Sequence, residues 1–254
     1  MIDPQLTDFA RELADESAEL ILKHWRRGGL NVSLKADRTV VTETDREVET
    51  MMRERIKQTF PDHGIIGEEF GNDNEDAEWV WILDPIDGTV SYVHGIPLFG
   101  SLYGLLHNGQ PVLGVINQPI LEQLCIGDGQ TTTLNGQAVH CADKQDLGDA
   151  VLLCTDPRRP HNHQDGPAFD RLINKVHTYR GWGDCYGYLM VATGRADVML
   201  DPVMSLWDLL PLIPIIRGSG GVITDWSGAD PVKGTSAIAA SPALHAAILR
   251  ELHG

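Results

Sequence analysis

The sequence predicts an α+β protein built in layers, and three observations lead there. Apolar residues recur at helical spacing near the N-terminus. A central stretch carries short apolar runs punctuated by Asn-Gly, Asp-Gly and Asp-Pro turns. Beyond residue 145 helix-like and strand-like segments interleave, so a border there separates an N-terminal subdomain, 1–145, from a C-terminal one, 146–254.

The elements follow in order. Residues 5–27 make an amphipathic helix, with Leu6, Phe9, Ala10, Leu13, Leu20, Ile21 and Trp25 near one stripe and Gly28-Gly29 at its end. A second helix spans 44–58, with Val48, Met51, Met52 and Ile56 inward. Thr44 is expected as its N-cap, Glu47 completes a capping box, and Pro61 follows its end. Trp79–Leu83 reads as a strand ended by the turn formers Asp84-Pro85 and Asp87-Gly88. Phe99–His107 and Val112–Asn117 form a hairpin around His107-Asn108-Gly109, and Leu124–Ile126 with a turn at Asn135-Gly136 extends the sheet. Strands are expected at 150–154 and 198–200, and helices at 168–176, 186–193 and 205–217. Pro211 and Pro214 make the last of these irregular.

Composition excludes several classes. Asp plus Glu number 36 against 20 Lys plus Arg, a net charge of −16, which argues against nucleic acid or an anionic membrane as partner. An anionic substrate would then need cations held by carboxylates. The apolar runs stop well short of the roughly 20 residues that span a bilayer. The acidic N-terminus has no signal-peptide pattern. Cys125, Cys141, Cys154 and Cys185 are scattered without a C-x-x-C pair, as expected of reduced thiols in a cytoplasmic protein rather than a zinc site.

The chemistry lies in acidic residues where strands end. Gly67-Glu68-Glu69 follows Ile65-Ile66, Asp84-Pro85-Ile86-Asp87-Gly88-Thr89 follows Trp79–Leu83, and Trp207-Asp208 opens an apolar helix. Carboxylates converging from separate segments suit hard, oxygen-seeking cations such as Mg²⁺. The Ile86 carbonyl is placed to join them, and the amides of Gly88 and Thr89 offer a phosphate cradle.

These motifs resemble the inositol monophosphatase superfamily of Mg²⁺-dependent phosphatases. The matches, in order, are Val41–Asp45, Gly67–Glu69, Trp81–Thr89, and Trp207-Asp208 followed by Gly220-Gly221. The resemblance covers essentially the whole chain and implies an αβαβα sandwich and a homodimer. It implies one metal on Glu68, Asp84 and the Ile86 carbonyl, a second on Asp84, Asp87 and Asp208, and a weaker third near Glu68. It makes Asp45 and Thr89 the pair that orients and deprotonates the attacking water. It places Asp87, Gly88, Thr89, Asp201 and Asp208 around the substrate. Water activated by the cations would attack phosphorus in line, with no Cys or His nucleophile. Where the superfamily usually reads Glu-Ala-Gly-Gly, this chain has Arg217-Gly218-Ser219-Gly220-Gly221, a change expected to touch packing or a subunit contact.

Within the superfamily, three segments resemble the histidinol-phosphate phosphatases of histidine biosynthesis: Val90–Gly100, Gly114–Pro119 and Trp182–Tyr186. Histidinol carries an ammonium, which Asp184 and Asp201 would favour. The alternative is a phosphatase for inositol or another polyol or sugar phosphate, since carboxylates also accept from hydroxyls. A non-enzymatic metal-binding homologue is the remaining class, and retention of every expected ligand disfavours it.

Overall fold

The computed structural model describes residues 2–27, 32–34 and 40–254. Helix α1 (Pro4–Arg27) leads to a short ribbon, β1 (Val32–Leu34) and β2 (Val40–Thr42), then α2 (Glu43–Thr59). Next come β3 (Gly64–Gly67), β4 (Gly71–Asp73), β5 (Trp79–Asp87), the short α3 (Thr89–Val93), β6 (Gly100–His107), β7 (Gln110–Gln118), β8 (Gln123–Gly127), β9 (Thr132–Leu134) and β10 (Gln137–Ala138). The rest is β11 (Val151–Cys154), α4 (Arg159–His163), α5 (Gly166–Ile173), β12 (Thr178–Arg180), α6 (Asp184–Ala192), β13 (Val198–Asp201), α7 (Leu206–Leu209), α8 (Leu212–Gly218), β14 (Val222–Thr224), β15 (Ala237–Ala240) and α9 (Pro242–His253).

Two sheets organise these elements. The first runs β10-β9-β8-β7-β6-β5-β3-β4 and the second β12-β11-β13-β15-β14. Side chains alternate across each strand, so one strand feeds two cores. Trp81 and Leu83 join a cluster with Phe9, Leu13, Val48 and Met52 of α1 and α2. Ile82 points the other way, to Tyr188 and Leu189 of α6, Ile213 of α8, and Leu153 and Met199 of the second sheet. Leu152 and Val198 face outward again, onto Phe169 of α5 and Leu244 and Ile248 of α9. The layers are therefore helix, sheet, helix, sheet, helix: the expected αβαβα sandwich. Both sheets are covered on two faces, which is why their central strands read as continuous apolar runs.

The β6–β7 hairpin turns on Asn108 and Gly109 at φ 50° and 73°, and the β9–β10 hairpin on Asn135 and Gly136 at 51° and 80°. Both expected turns are present, with the positive φ pair that two-residue loops require.

Several expected elements are corrected. The N-cap of α2 is Thr42, not Thr44, and Asp45 rather than Glu47 completes its capping box. Trp79–Leu83 does not end at Asp84: β5 continues to Asp87 through a register shift. The helix expected at 205–217 is two, α7 and α8: Leu210 and Pro211 keep helical angles, but Pro211 has no N–H for the Trp207 carbonyl. The helix expected from Tyr186 starts at Asp184, and the one expected at 168–176 is α5, which starts at Gly166 and ends at Ile173. Gly28 and Gly29 lie outside the described residues. Residues 222–253, left unassigned by the sequence reading, supply β14, β15 and α9. Arg217 forms an exposed pair with Asp230 at 3.4 Å. No helix among the described residues is long and apolar enough to cross a membrane.

Candidate active site

The acidic residues gather at the carboxyl ends of two parallel strand pairs, β3–β5 in the first sheet and β11–β13 in the second. In a regular strand Asp84 and Asp87, three apart, would face opposite sides. Asp84 pairs with Leu102 and Asp87 with Gly100, so Pro85 and Ile86 together oppose the one residue between, Ser101. That bulge turns both carboxylates to one side, and it accommodates Pro85, which has no N–H for the ladder. Asp84 Oδ1 accepts from the Ile86 amide at 3.1 Å, and Thr89 Oγ1 donates to the Ile86 carbonyl at 3.1 Å.

Asp208 arrives from the second half of the chain, in the capping box of α7, where its Oδ2 accepts from the Ser205 amide at 3.0 Å. Asp84, Asp87 and Asp208 each offer an oxygen, and these lie within 4.8 Å of one another. No other such group of metal-ligating side chains forms among the described residues.

Electrostatics link the other residues to this cluster. Burial raises the Asp84 carboxyl well above the usual carboxylate range, and Glu68, Asp87 and Asp208 raise it further. Asp87 is raised the same way, by burial, then by Asp184 and Asp208. Burial pushes Asp208 to about 6, with Glu68 adding to the shift. Asp184 is also pushed to about 6, by burial and Asp208, while Arg159 opposes. Asp45 is raised to about 7 by burial, with Glu69 and Glu68 as like-charged neighbours. Its Oδ2 accepts from the Thr42 amide at 2.9 Å and from the Thr42 hydroxyl.

Ionising all these carboxyls at neutral pH requires countercharge, and an oxygen-only donor set suits a hard divalent cation. The residues present therefore fit the group that the motifs imply.

Gly88 sits at φ 91° as the N-cap of α3. A Cβ there would meet the Leu98 carbonyl at 2.9 Å and Asp184 Oδ2 at 3.1 Å, so Asp184 reaches over the turn after Asp87. Asp184 opens α6 at φ 52°. The next amide, that of Cys185, donates to Asp87 Oδ2 at 2.5 Å. Asp201, at the end of β13, is buried and accepts from Tyr188 Oη at 3.0 Å.

Sequence reasoning did not single out Glu49, Thr155 or Tyr188. Glu49 is fully buried and accepts from the amides of Glu69 at 2.7 Å and Phe70 at 3.2 Å and from Arg53 Nε at 2.8 Å. Its helical spacing, four residues past Asp45 and four before Arg53, was the available signal.

The model of the inositol monophosphatase family matches residues 3–254. A chloroplastic bifunctional phosphatase of Arabidopsis thaliana is 40% identical over 232 residues, 89% of this chain, and this chain spans 66% of that protein's length. A histidinol-phosphatase of Chlorobaculum parvum is 39% identical over 225 residues, 87% of this chain and 85% of its own. A solved inositol monophosphatase from Zymomonas mobilis superimposes with a TM-score of 0.88 at 33% identity, over 100% of both chains.

Proposed function

The chain belongs to the inositol monophosphatase family, and from that premise we propose a Mg²⁺-dependent phosphomonoesterase that prefers histidinol phosphate. The observation that carries the hydrolytic reading is the convergence of Asp84, Asp87 and Asp208 beside the Gly88–Thr89 turn. Glu68, Asp84, Asp87, Asp208 and the Ile86 carbonyl would hold the divalent ions. When bound, such ions neutralise phosphate charge and activate water as a nucleophile.

The chain's own groups do the rest. The amides of Gly88 and Thr89 receive phosphate oxygens. Thr89 Oγ1, already donating to the Ile86 carbonyl, accepts from the attacking water with its lone pairs. Asp45, held near neutral titration by burial, takes the water's proton on its carboxylate.

Substrate choice rests on Asp184, whose Oδ2 lies over the Gly88 turn where a leaving group would emerge. A carboxylate there pairs an ammonium. The Zymomonas relative's name favours inositol phosphate as the second reading, because the same carboxylate accepts from hydroxyls. Cytoplasmic placement and a homodimer belong to the same proposal; light scattering of the purified protein checks the second.

The deciding experiment compares kcat/KM for histidinol phosphate and inositol 1-phosphate with saturating Mg²⁺. A preference of tenfold or more for histidinol phosphate supports the proposal, and the reverse moves the substrate to a polyol phosphate. Asp84→Asn, tested alongside, should abolish turnover of both esters. Near-native turnover by that variant would remove the metal cluster from the reaction.

A further inference from the structure

Helix α6 begins without the side-chain cap that its first amides need. Its N-cap is Gly183, which has no side chain to accept from them. The ends of two strands supply the acceptors instead. The Asp184 amide donates to Thr155 Oγ1 at 3.0 Å, and the Cys185 amide donates to Asp87 Oδ2 at 2.5 Å. Thr155 follows β11, which lies between β12 and β13 in the second sheet, while Asp87 ends β5 in the first. One helical turn is thus pinned from both sheets.

The pin from β11 is tight. A Cβ on Gly183 would lie 2.4 Å from Thr155 Cα and 2.5 Å from Thr155 Oγ1, so only glycine fits there. The next residue, Asp184, turns to φ 52°, a conformation that a residue with a side chain holds only where its surroundings fix it. The Gly187 amide then closes the turn on the Gly183 carbonyl at 3.1 Å. This backbone determines where the Asp184 carboxylate goes, and its Oδ2 comes over the Gly88 turn.

We propose that Thr155 is a positioning residue for leaving-group recognition: its hydroxyl, by holding the Asp184 amide, sets the direction of the Asp184 carboxylate. That Asp184 faces the leaving group rests on the functional reading above; the hold of Thr155 on the amide is tested separately. Thr155→Val keeps the volume and removes the acceptor. The Asp184 amide is then unpaired, and the turn relaxes toward the ordinary backbone region, carrying the carboxylate off Gly88.

The test joins amide hydrogen exchange by NMR to kinetics on the Mg²⁺-loaded enzyme, in Thr155→Val, Thr155→Ser, Asp184→Asn and the double variant Thr155→Val with Asp184→Asn. In Thr155→Val the Asp184 and Cys185 amides should exchange about tenfold faster, while those of Leu189 to Ala192 stay within about threefold. The kcat/KM for histidinol phosphate relative to an aryl phosphate should fall about tenfold in Thr155→Val. Thr155→Ser keeps the hydroxyl and should stay within about threefold of the parent on both readouts. In the Asp184→Asn background Thr155→Val should move the ratio little, because both changes act through one carboxylate. A ratio that falls in Asp184→Asn and not in Thr155→Val would overturn the proposal. A full effect of Thr155→Val in the Asp184→Asn background would also overturn it, since the hydroxyl would then act through another group. Unchanged exchange at Asp184 and Cys185 would overturn it whatever the substrate. If the parent enzyme ignores histidinol phosphate, the substrate reading fails, and inositol 1-phosphate takes its place in the same ratio. If Asp184→Asn moves neither ratio, Asp184 reads no leaving group and the proposal falls.

Discussion

Asp184 occupies a left-handed backbone conformation, φ 52°, that costs a residue with a side chain about 1 kcal/mol or more. Asp and Asn tolerate it better than other side chains because they are short and bond locally. The conformation directs the Cys185 amide at Asp87 while leaving the Asp184 carboxylate above Gly88. Asp184→Asn is therefore the informative change, since it removes charge and keeps both shape and backbone. Relative to an aryl phosphate, kcat/KM for histidinol phosphate should drop about 10- to 100-fold, the value of a charge-assisted bond of about 1.5–3 kcal/mol. Equal losses on the two esters would assign Asp184 to the fold instead.

At the scale of the element, α2 does more than cover the first sheet. Its N-terminal turn is capped by Thr42 and Asp45, and one turn later Glu49 reaches the chain beyond β3. There is little room between them: a Cβ on Gly67 would lie 2.2 Å from Glu49 Oε1. The carboxylate thus ties down the two amides that follow Glu68, and Arg53 balances its charge. Supporting groups of this kind typically carry 10- to 100-fold in metal affinity. Glu49→Ala should weaken Mn²⁺ binding by about that factor in isothermal titration, with Glu49→Gln intermediate. Unchanged Mn²⁺ affinity in a folded Glu49→Ala would limit Glu49 to stability. A neighbouring segment has a different duty. Gly114–Pro119, one of the stretches that suggested the histidinol branch, works as packing: Asn117 donates to the Ala14 carbonyl at 2.7 Å, and Gln118 to the Pro97 carbonyl at 2.9 Å. A Cβ on Gly114 would fall 1.8 Å from the Pro211 carbonyl, so this glycine lets the central helices approach the sheet.

For the whole molecule, the concentration of buried acid has a pH consequence. Asp45 and Asp201 titrate at about 7 in the fold, against 3.8 for an unperturbed aspartate, and Asp184 and Asp208 at about 6. Between these values the folded, metal-free protein holds protons that the unfolded chain has released. Its stability is therefore greatest at the acid side of that window and falls as pH rises from about 4 to about 7. Divalent ions reverse the trend, because they bind the deprotonated carboxylates of the folded state. The Tm of the metal-free protein should be higher at pH 5.5 than at pH 8. Added Mg²⁺ should raise Tm more at pH 8 than at pH 5.5. A Tm rise by Mg²⁺ that is equal at both values would uncouple the cation from these acids.

Local order decides how much of this was legible beforehand. The chain by itself determined the layered class, because apolar periods of 3.6 and 2 are local properties of the segments that become α1, α2 and the strands of the first sheet. It also singled out the carboxylates that cluster, since Asp84-Pro85-Ile86-Asp87-Gly88-Thr89 and Trp207-Asp208 each stand within a few positions. Only the tertiary structure decided how those residues meet. The bulge that turns Asp84 and Asp87 to one side exists because β6 pairs across it. The Cys185 amide reaches Asp87 from 98 residues away because α6 is packed between two sheets. Thr155 and Tyr188 were invisible for the same reason, and Glu49 showed only its helical spacing: each acts through a partner brought near by packing. A carboxylate such as Asp201 reads the same in a sequence whether it faces a substrate or a tyrosine. The difference is made by burial and by which donors the fold places around it.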